Sequence, residues 1–298
     1  MSDSNYPSWF QSTEDGEYRA ARPHAEVLQR LLSNTIDSAT AANKLISLDY
    51  TNDDTPWALW NVIYEAAAEF SSSHSPLLAL LTDVQSLDSQ LSEFAPKGTP
   101  REWFACFGSM WRDKWDMLSP SAASGWTVSA SQTRRRWINI NAFSAKLLAT
   151  TSFSRGAKLR ALGLSLFKKC LETDPNTYKE MKRRTQSAVQ REPPWNKMDL
   201  GEILAADLCA AAQWLIHAEG LMWEDDRLDD TDFIRMVLPG QTDLWNGSQG
   251  LTEERWQLWK ERFLFMAESE DIGPDAQRVA RKAGQIMGAI HDVNRYDI

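Results

Sequence analysis

Three aspartates, Asp225, Asp226 and Asp229, are the residues with the clearest capacity for chemistry, and they lie in the run EDDRLDD. Apolar residues recur every three or four positions along residues 204–222, which predicts that residues 200–226 form a helix with a single buried face. The aspartates then fall at the C-terminal end of that helix, where the helix dipole disfavours negative charge. Solvent, arginine partners or a metal ion must offset the charge. Mg²⁺ binds such carboxylates, usually together with substrate phosphates.

A second set of residues supplies positive charge and aromatic rings. Arginine offers a bidentate fork to a phosphate group and lysine a point charge, so a bound diphosphate would need such donors. The substrate-binding residues predicted on this basis are Arg134, Arg135, Arg136, Asn141, Trp256, Trp259 and Arg262, with Lys260 as a catalytic cation. Simpler interpretations stay open: a solvated acidic helix end, and amphipathic helices whose cations reach to solvent.

Charge and composition exclude several classes of function. The net charge of −9 argues against nucleic-acid binding, which needs a basic surface, and against attraction to anionic membranes. No apolar run is long enough to span a bilayer, and the first residues lack the basic and apolar regions of a signal peptide. Three scattered cysteines and four isolated histidines form no disulfide or zinc pattern. We therefore expect a cytoplasmic protein.

The elements that must position these residues are predicted to be helices. Helical periodicity runs through most of the chain, no segment alternates as a strand does, and no repeat has a fixed period. We predict an all-α bundle of about ten helices, with a polar arm over residues 1–22 and one helical domain over residues 23–298. The small-residue segment 119–131 is a soft internal linker. Fourteen tryptophans either anchor helix contacts or line an apolar cavity.

The spacing Asp225-Asp226-x-x-Asp229 resembles the DDxxD motif of class I terpene synthases. Three longer stretches resemble a fungal all-helical family known as a domain of unknown function: WININAF at 137–143, AAQWLIHAEG ending at Gly220, and residues 243–263. The similarity covers roughly residues 55–290. Members often lie among genes for secondary metabolites, and the family is distantly similar to the unusual humulene synthases of tropolone-sesquiterpenoid pathways.

That resemblance implies a bundle similar to class I terpenoid synthases and a Mg²⁺-dependent cyclisation of a prenyl diphosphate, with farnesyl diphosphate the first choice. Asp225, Asp226 and Asp229 would bind the metal, and Lys260 is carried over as a catalytic residue. The chain departs from ordinary class I enzymes because no second metal motif follows and only 69 residues come after Asp229. We therefore expect an unusual terpene cyclase. A non-catalytic scaffold or small-molecule-binding protein, a metal-free cyclase and a homodimer remain open.

Overall fold

The computed structural model of this chain describes residues 22–49, 57–94, 107–120, 129–150, 156–174, 198–223 and 231–296. Within these ranges every regular element is a helix, and the only strand-like pairing is one isolated bridge between Gln241 and Asn246. The prediction of an all-α fold is confirmed. Of the predicted arm, residues 1–22, only Arg22 lies among the described residues, and it begins the first helix.

The chain divides into two compact units, Met1–Asp116 and Met117–Ile298. The prediction of a single helical domain over residues 23–298 stays a prediction. In the first unit the helices are α1 (Arg22–Leu32), α2 (Ser38–Asp49), α3 (Trp57–Glu69), α4 (His74–Phe94) and α5 (Phe107–Leu118), which ends just past the boundary. Its core includes an edge-to-face contact between Tyr64 and Trp111, whose ring centroids are 4.8 Å apart.

The second unit contains all the predicted site residues. Its described helices are α6 (Ala130–Ala149), α7 (Gly156–Leu171), α8 (Leu200–Ala218), α9 (Thr231–Val237), α10 (Glu253–Met266) and α11 (Gly273–Tyr296). Helix α8 packs against α6, α7 and α11, and every residue from 205 to 212 is buried. The prediction of one buried face was therefore too narrow. A helix enclosed by neighbours on several sides is apolar nearly all round.

Helices α6 and α8 run parallel to each other, as two hydrogen bonds between them show. Trp137 of α6 donates its indole N–H to Asp207 Oδ1 of α8 at 3.0 Å. Seven residues further along α8, Trp214 donates to Oδ1 of Asn141, which lies four residues further along α6, at 2.9 Å. Both partners thus advance in the same direction along the chain. The N-terminal ends of α6 and α8 consequently lie at the same end of the unit.

Helix α8 ends earlier than its apolar spacing predicts. It stops at Ala218, because Glu219 takes φ 11° and ψ −102°, outside the α-helical region, and a short 3₁₀ helix follows over Glu219–Met222. The predicted helix over residues 200–226 was too long. Since the α-helical register is interrupted at Glu219, the apolar spacing of α8 no longer predicts which face later residues occupy.

The segment between α9 and α10 is fixed by a buried ion pair. Arg255 forms two parallel bonds to Glu172, Nε to Oε1 at 2.6 Å and Nη2 to Oε2 at 2.8 Å, and its Nη1 donates to the Gly250 carbonyl at 3.0 Å. Trp259 donates its indole N–H to the same carboxylate at 2.7 Å. This network holds α10 against the end of α7. The short helix α9 precedes this segment.

Candidate functional site

Five residues form what we call the Trp223 corner, at the C-terminal end of α8: Arg160, Met222, Trp223, Trp256 and Lys260. Arg160 is completely buried and donates Nη2 to the Met222 carbonyl at 3.2 Å. Gly163 permits this approach, since a Cβ there would lie 2.7 Å from the Trp214 ring and 2.8 Å from the Met222 methyl. A buried positive charge therefore lies where the dipole of α8 is negative, which is its favourable end.

Helix α10 completes the corner with one aromatic and one basic side chain. The rings of Trp223 and Trp256 have centroids 5.2 Å apart, and the buried Trp256 donates its indole N–H to the Met287 carbonyl at 3.2 Å. Lys260 follows one helical turn later, about 6 Å along the axis. Its half-buried stem crosses α11 at Gly288, where a Cβ would lie 3.8 Å from the lysine Cδ.

The acidic run begins directly after this corner in the sequence. Asp225, Asp226 and Asp229 lie outside the described residues, so their proposed role in binding Mg²⁺ stays a prediction. Within the described ranges, no group of three His, Cys, Asp or Glu side chains is placed to hold a metal ion. The described residues that precede the run in the sequence are Met222, whose carbonyl accepts from Arg160, and the half-exposed Trp223.

A separate surface feature, the arginine pocket, lies at the N-terminal ends of α6 and α8. Its volume is about 390 Å³. Its lining residues are Ala130, Ser131, Arg134, Arg135, Ile138, Asn139, Met198 and Glu202. Both helices begin with well-formed caps: the Ser129 hydroxyl accepts from Gln132 N, and Asp199 and Glu202 form a reciprocal capping box.

The charges that line the arginine pocket are unbalanced. Arg134 directs Nη2 to the Cys209 sulfur at 3.7 Å and makes no ion pair within the described part of the chain. Glu202 is committed to the cap of α8, accepting from the Asp199 amide at 2.8 Å. Burial raises the pKa of the Cys209 thiol, and the Arg134 guanidinium opposes part of that rise, so the thiol supplies no negative charge at neutral pH. Arg134 and Arg135 together with the Glu202 carboxylate leave the lining of the pocket with a formal net charge of +1.

The two regions are separated along α8. Trp214 packs against Gly163 together with Met222, and it lies about 18 Å further along the helix axis than Glu202 in the pocket. The structure thus places Lys260 one helical turn after Trp256, against α11 at Gly288, and it places Arg134 and Arg135 beside the N-terminal end of α8. Among the described side chains, Lys260 is therefore not part of the pocket that Arg134 and Arg135 line.

The other predicted site residues are engaged inside the protein. Arg136 is buried, and Asn141 is completely buried, accepting from Trp214 and donating to the Trp137 carbonyl at 2.9 Å. Trp256 and Trp259 are also completely buried, with their N–H groups bonded internally. These contacts describe packing roles, and substrate contact by these residues stays a prediction.

Arg262, the last of the predicted substrate-binding residues, lies half-buried on the other side of α10. Its guanidinium stacks 5.0 Å from the centre of the exposed Phe265 ring. Burial lowers the pKa of Arg262, and the nearby Asp174 opposes that change. Neither contact leads toward the Trp223 corner, so the structure gives Arg262 no place beside Lys260.

Arg160 and Trp223 were absent from the residues predicted by sequence. A signal existed for each: Arg160 is an isolated cation within the apolar stretch LRALGL, and Trp223 immediately precedes the acidic run. An arginine inside an apolar helix must find internal partners, because an unpaired buried charge is costly. That rule could have selected Arg160 before the fold was known.

A family model described as "Protein of unknown function (DUF3632)" matches residues 60–263, more than half of the chain. The chain belongs to this family. The DUF3632 match begins in α3 and ends in α10, so it is shorter than the predicted similarity over residues 55–290, and it includes every residue of the corner and of the pocket. It confirms the resemblance to a domain of unknown function.

Comparison with curated proteins and with solved structures gives no match. The residues of the two regions therefore take their interpretation from their own geometry and charge.

No helix in the described parts of this DUF3632 chain combines the length and the apolar character that crossing a membrane requires.

Proposed function

We propose that the protein is an unusual Mg²⁺-dependent class I terpene cyclase that acts on a prenyl diphosphate in fungal secondary metabolism, with its catalytic centre at the Trp223 corner. Farnesyl diphosphate is the first substrate to test. The observation that carries the proposal is the bond from the buried Arg160 to the carbonyl of Met222, three residues before Asp225. The Trp223 ring beside it contacts Trp256, which Lys260 follows by one turn of α10. Cations and carboxylates would then meet at one helix end.

The residues of the corner suit the departure of a diphosphate. Lys260 supplies a point charge that can reach the leaving oxygens, and the buried Arg160 holds the Met222 carbonyl and so fixes the chain just before Asp225. The exposed part of the Trp223 ring can stabilise an allylic cation by attraction to its face. No general base is needed, because charge stabilisation drives the ionisation.

Asp225, Asp226 and Asp229 carry the oxygen ligands that Mg²⁺ prefers, so the chemistry of this donor set fits the metal. When bound, Mg²⁺ would neutralise charge on the leaving diphosphate. Arg134 and Arg135 are not included in this centre, because they lie at the other end of α8.

The proposal is tested by incubating the purified chain with farnesyl diphosphate and Mg²⁺ and analysing volatile products by gas chromatography and mass spectrometry. A terpene product should form, and Asp225→Asn should reduce it at least about 100-fold, equivalent to about 2.7 kcal/mol of barrier. The matched control is Asp275→Asn, since Asp275 is 75% exposed on α11 and should leave the rate unchanged. No product from any prenyl diphosphate of ten to twenty carbons would refute the proposal.

A second candidate is a non-catalytic scaffold or small-molecule-binding protein, and one observation favours it. The completely buried tryptophans Trp137, Trp214, Trp256 and Trp259 bond their N–H groups to protein oxygens. These rings therefore fill the core instead of lining a cavity for a hydrocarbon. Under this alternative the same incubation yields no product, and a prenyl diphosphate binds without being consumed.

A further inference from the structure

The arginine pocket has a composition that the proposed cyclase does not use. It lies about 18 Å along α8 from the Trp223 corner and joins the first turns of two parallel helices. Its volume of about 390 Å³ falls within the range of small-molecule sites. A ligand bound there would not contact Lys260, so this would be a second site.

Arg134 is the residue that indicates the class of ligand. Its guanidinium carries five N–H donors, and the single hydrogen bond that the described residues offer it is to a weak acceptor, the Cys209 sulfur, at 3.7 Å. Arg135 lines the same pocket and adds a second positive charge. Two guanidinium groups in one concave surface match the oxygens of a phosphate or diphosphate, which they can grip in a bidentate manner.

The helices themselves make this charge stronger. Arg134 lies in the second turn of α6, near the end at which the helix dipole is positive, and the parallel α8 begins beside it. The pocket is lined at the start of α6 by Ala130 and Ser131, which are not acidic. The carboxylate of Glu202 accepts a hydrogen bond from the Asp199 amide in the cap of α8. An anion bound in the pocket would relieve the repulsion between like charges.

We propose that the arginine pocket is an anion-binding site for the phosphate or diphosphate group of a small phosphorylated ligand, separate from the Trp223 corner. This proposal rests on the residues that line the pocket, and it does not depend on the proposed cyclase activity. Because both arginines belong to one helix, their backbone is fixed before binding, which limits the entropic cost of ordering their side chains.

The test is isothermal titration calorimetry of the full chain with inorganic pyrophosphate, at low ionic strength and with EDTA to remove divalent cations. We expect one site per chain, with affinity reduced at least about 10-fold by Arg134→Gln and less by Arg134→Lys, which keeps the charge. The control is Arg278→Gln. Arg278 is 76% exposed on α11, so this variant should bind pyrophosphate as tightly as the wild type does. Circular dichroism checks that each variant is folded.

Three results would overturn the inference: no binding by the wild type, equal binding by Arg134→Gln, or loss of binding in Lys260→Gln instead. The last would place pyrophosphate at the Trp223 corner. Failure of the pocket is distinguishable from failure of the cyclase, because the product assay with Mg²⁺ does not require pyrophosphate to occupy the pocket.

Discussion

The two ends of α8 use positive charge in opposite ways. At the N-terminal end, Arg134 lines an open pocket beside a positive helix end, and its described partner is a thiol. At the C-terminal end, Arg160 is completely buried beside a negative helix end and bonds a backbone carbonyl. The first arrangement is electrostatically unfavourable until an anion binds, whereas the second stabilises the fold itself. The difference separates a binding surface from a structural support for a neighbouring site.

The largest effect on stability is expected from breaking the ion pair between Glu172 and Arg255, which fixes α10. The Trp223 corner contains residues of α10, whereas the arginine pocket contains none. Glu172→Gln should lower the free energy of unfolding by about 3 kcal/mol, because it leaves the buried Arg255 without its counter-charge. Urea denaturation measures this. Glu261→Gln on the exposed face of the same helix should change stability by less than about 0.5 kcal/mol. Equal effects would mean that the pair does not secure α10.

Removing the buried cation of the corner is expected to have the next largest effect. Arg160→Met should lower the free energy of unfolding by about 2 kcal/mol, because the Met222 carbonyl loses its charged donor in a buried position. Urea denaturation again provides the measurement, with Lys158→Met as an exposed control on α7. A change no larger than that of the control would show that Arg160 does not support the end of α8.

At the pocket, removal of a cation should act in the opposite direction. Arg134→Gln should raise the free energy of unfolding by about 0.3 kcal/mol at low salt, because it removes positive charge near a positive helix end. With pyrophosphate added, the wild type should become more stable than Arg134→Gln, since only the wild type gains stability from binding. Thermal denaturation with and without pyrophosphate checks both statements. Destabilisation by Arg134→Gln in the absence of ligand would contradict this contrast.

The smallest effect concerns His217, which lies near the C-terminal end of α8. Burial lowers the pKa of this imidazole, and Lys146 and Lys282 lower it further. Because the folded-state pKa is below the unfolded value of about 6.5, stability from the neutral form is complete above about pH 6.5 and is lost as the pH falls below it. The urea concentration at the midpoint of unfolding should fall less between pH 7.5 and pH 5 in His217→Gln than in the wild type. An identical loss would exclude a contribution from His217.

The sequence predicted the helices well, because apolar spacing and capping residues act locally. Helical periodicity predicted an all-α bundle, and every regular element among the described residues is a helix. The complete burial of Trp256 and Trp259, which were predicted to bind substrate, was not predicted. The sequence could not show that α6 and α8 are parallel. That arrangement depends on long-range bonds such as Trp137 to Asp207, and it decides which predicted cations can meet.

The end of α8 shows why the predicted site was only partly obtained. A stripe of apolar residues predicts which face is buried, but it does not predict the backbone change at Glu219 that stops the helix. The stripe therefore could not be extrapolated beyond Ala218, where α8 ends. The relation between Trp256 and Lys260 is different, because two residues one turn apart on α10 are placed by the local helix alone.

The central claim is that catalysis belongs to the Trp223 corner, and product formation by Lys260→Gln tests it most directly. With farnesyl diphosphate and Mg²⁺, the wild type should release a terpene, Lys260→Gln should lose at least about 100-fold in rate, and Lys158→Gln, exposed on α7, should match the wild type. A wild type that forms product while Lys260→Gln keeps its full rate would contradict the claim.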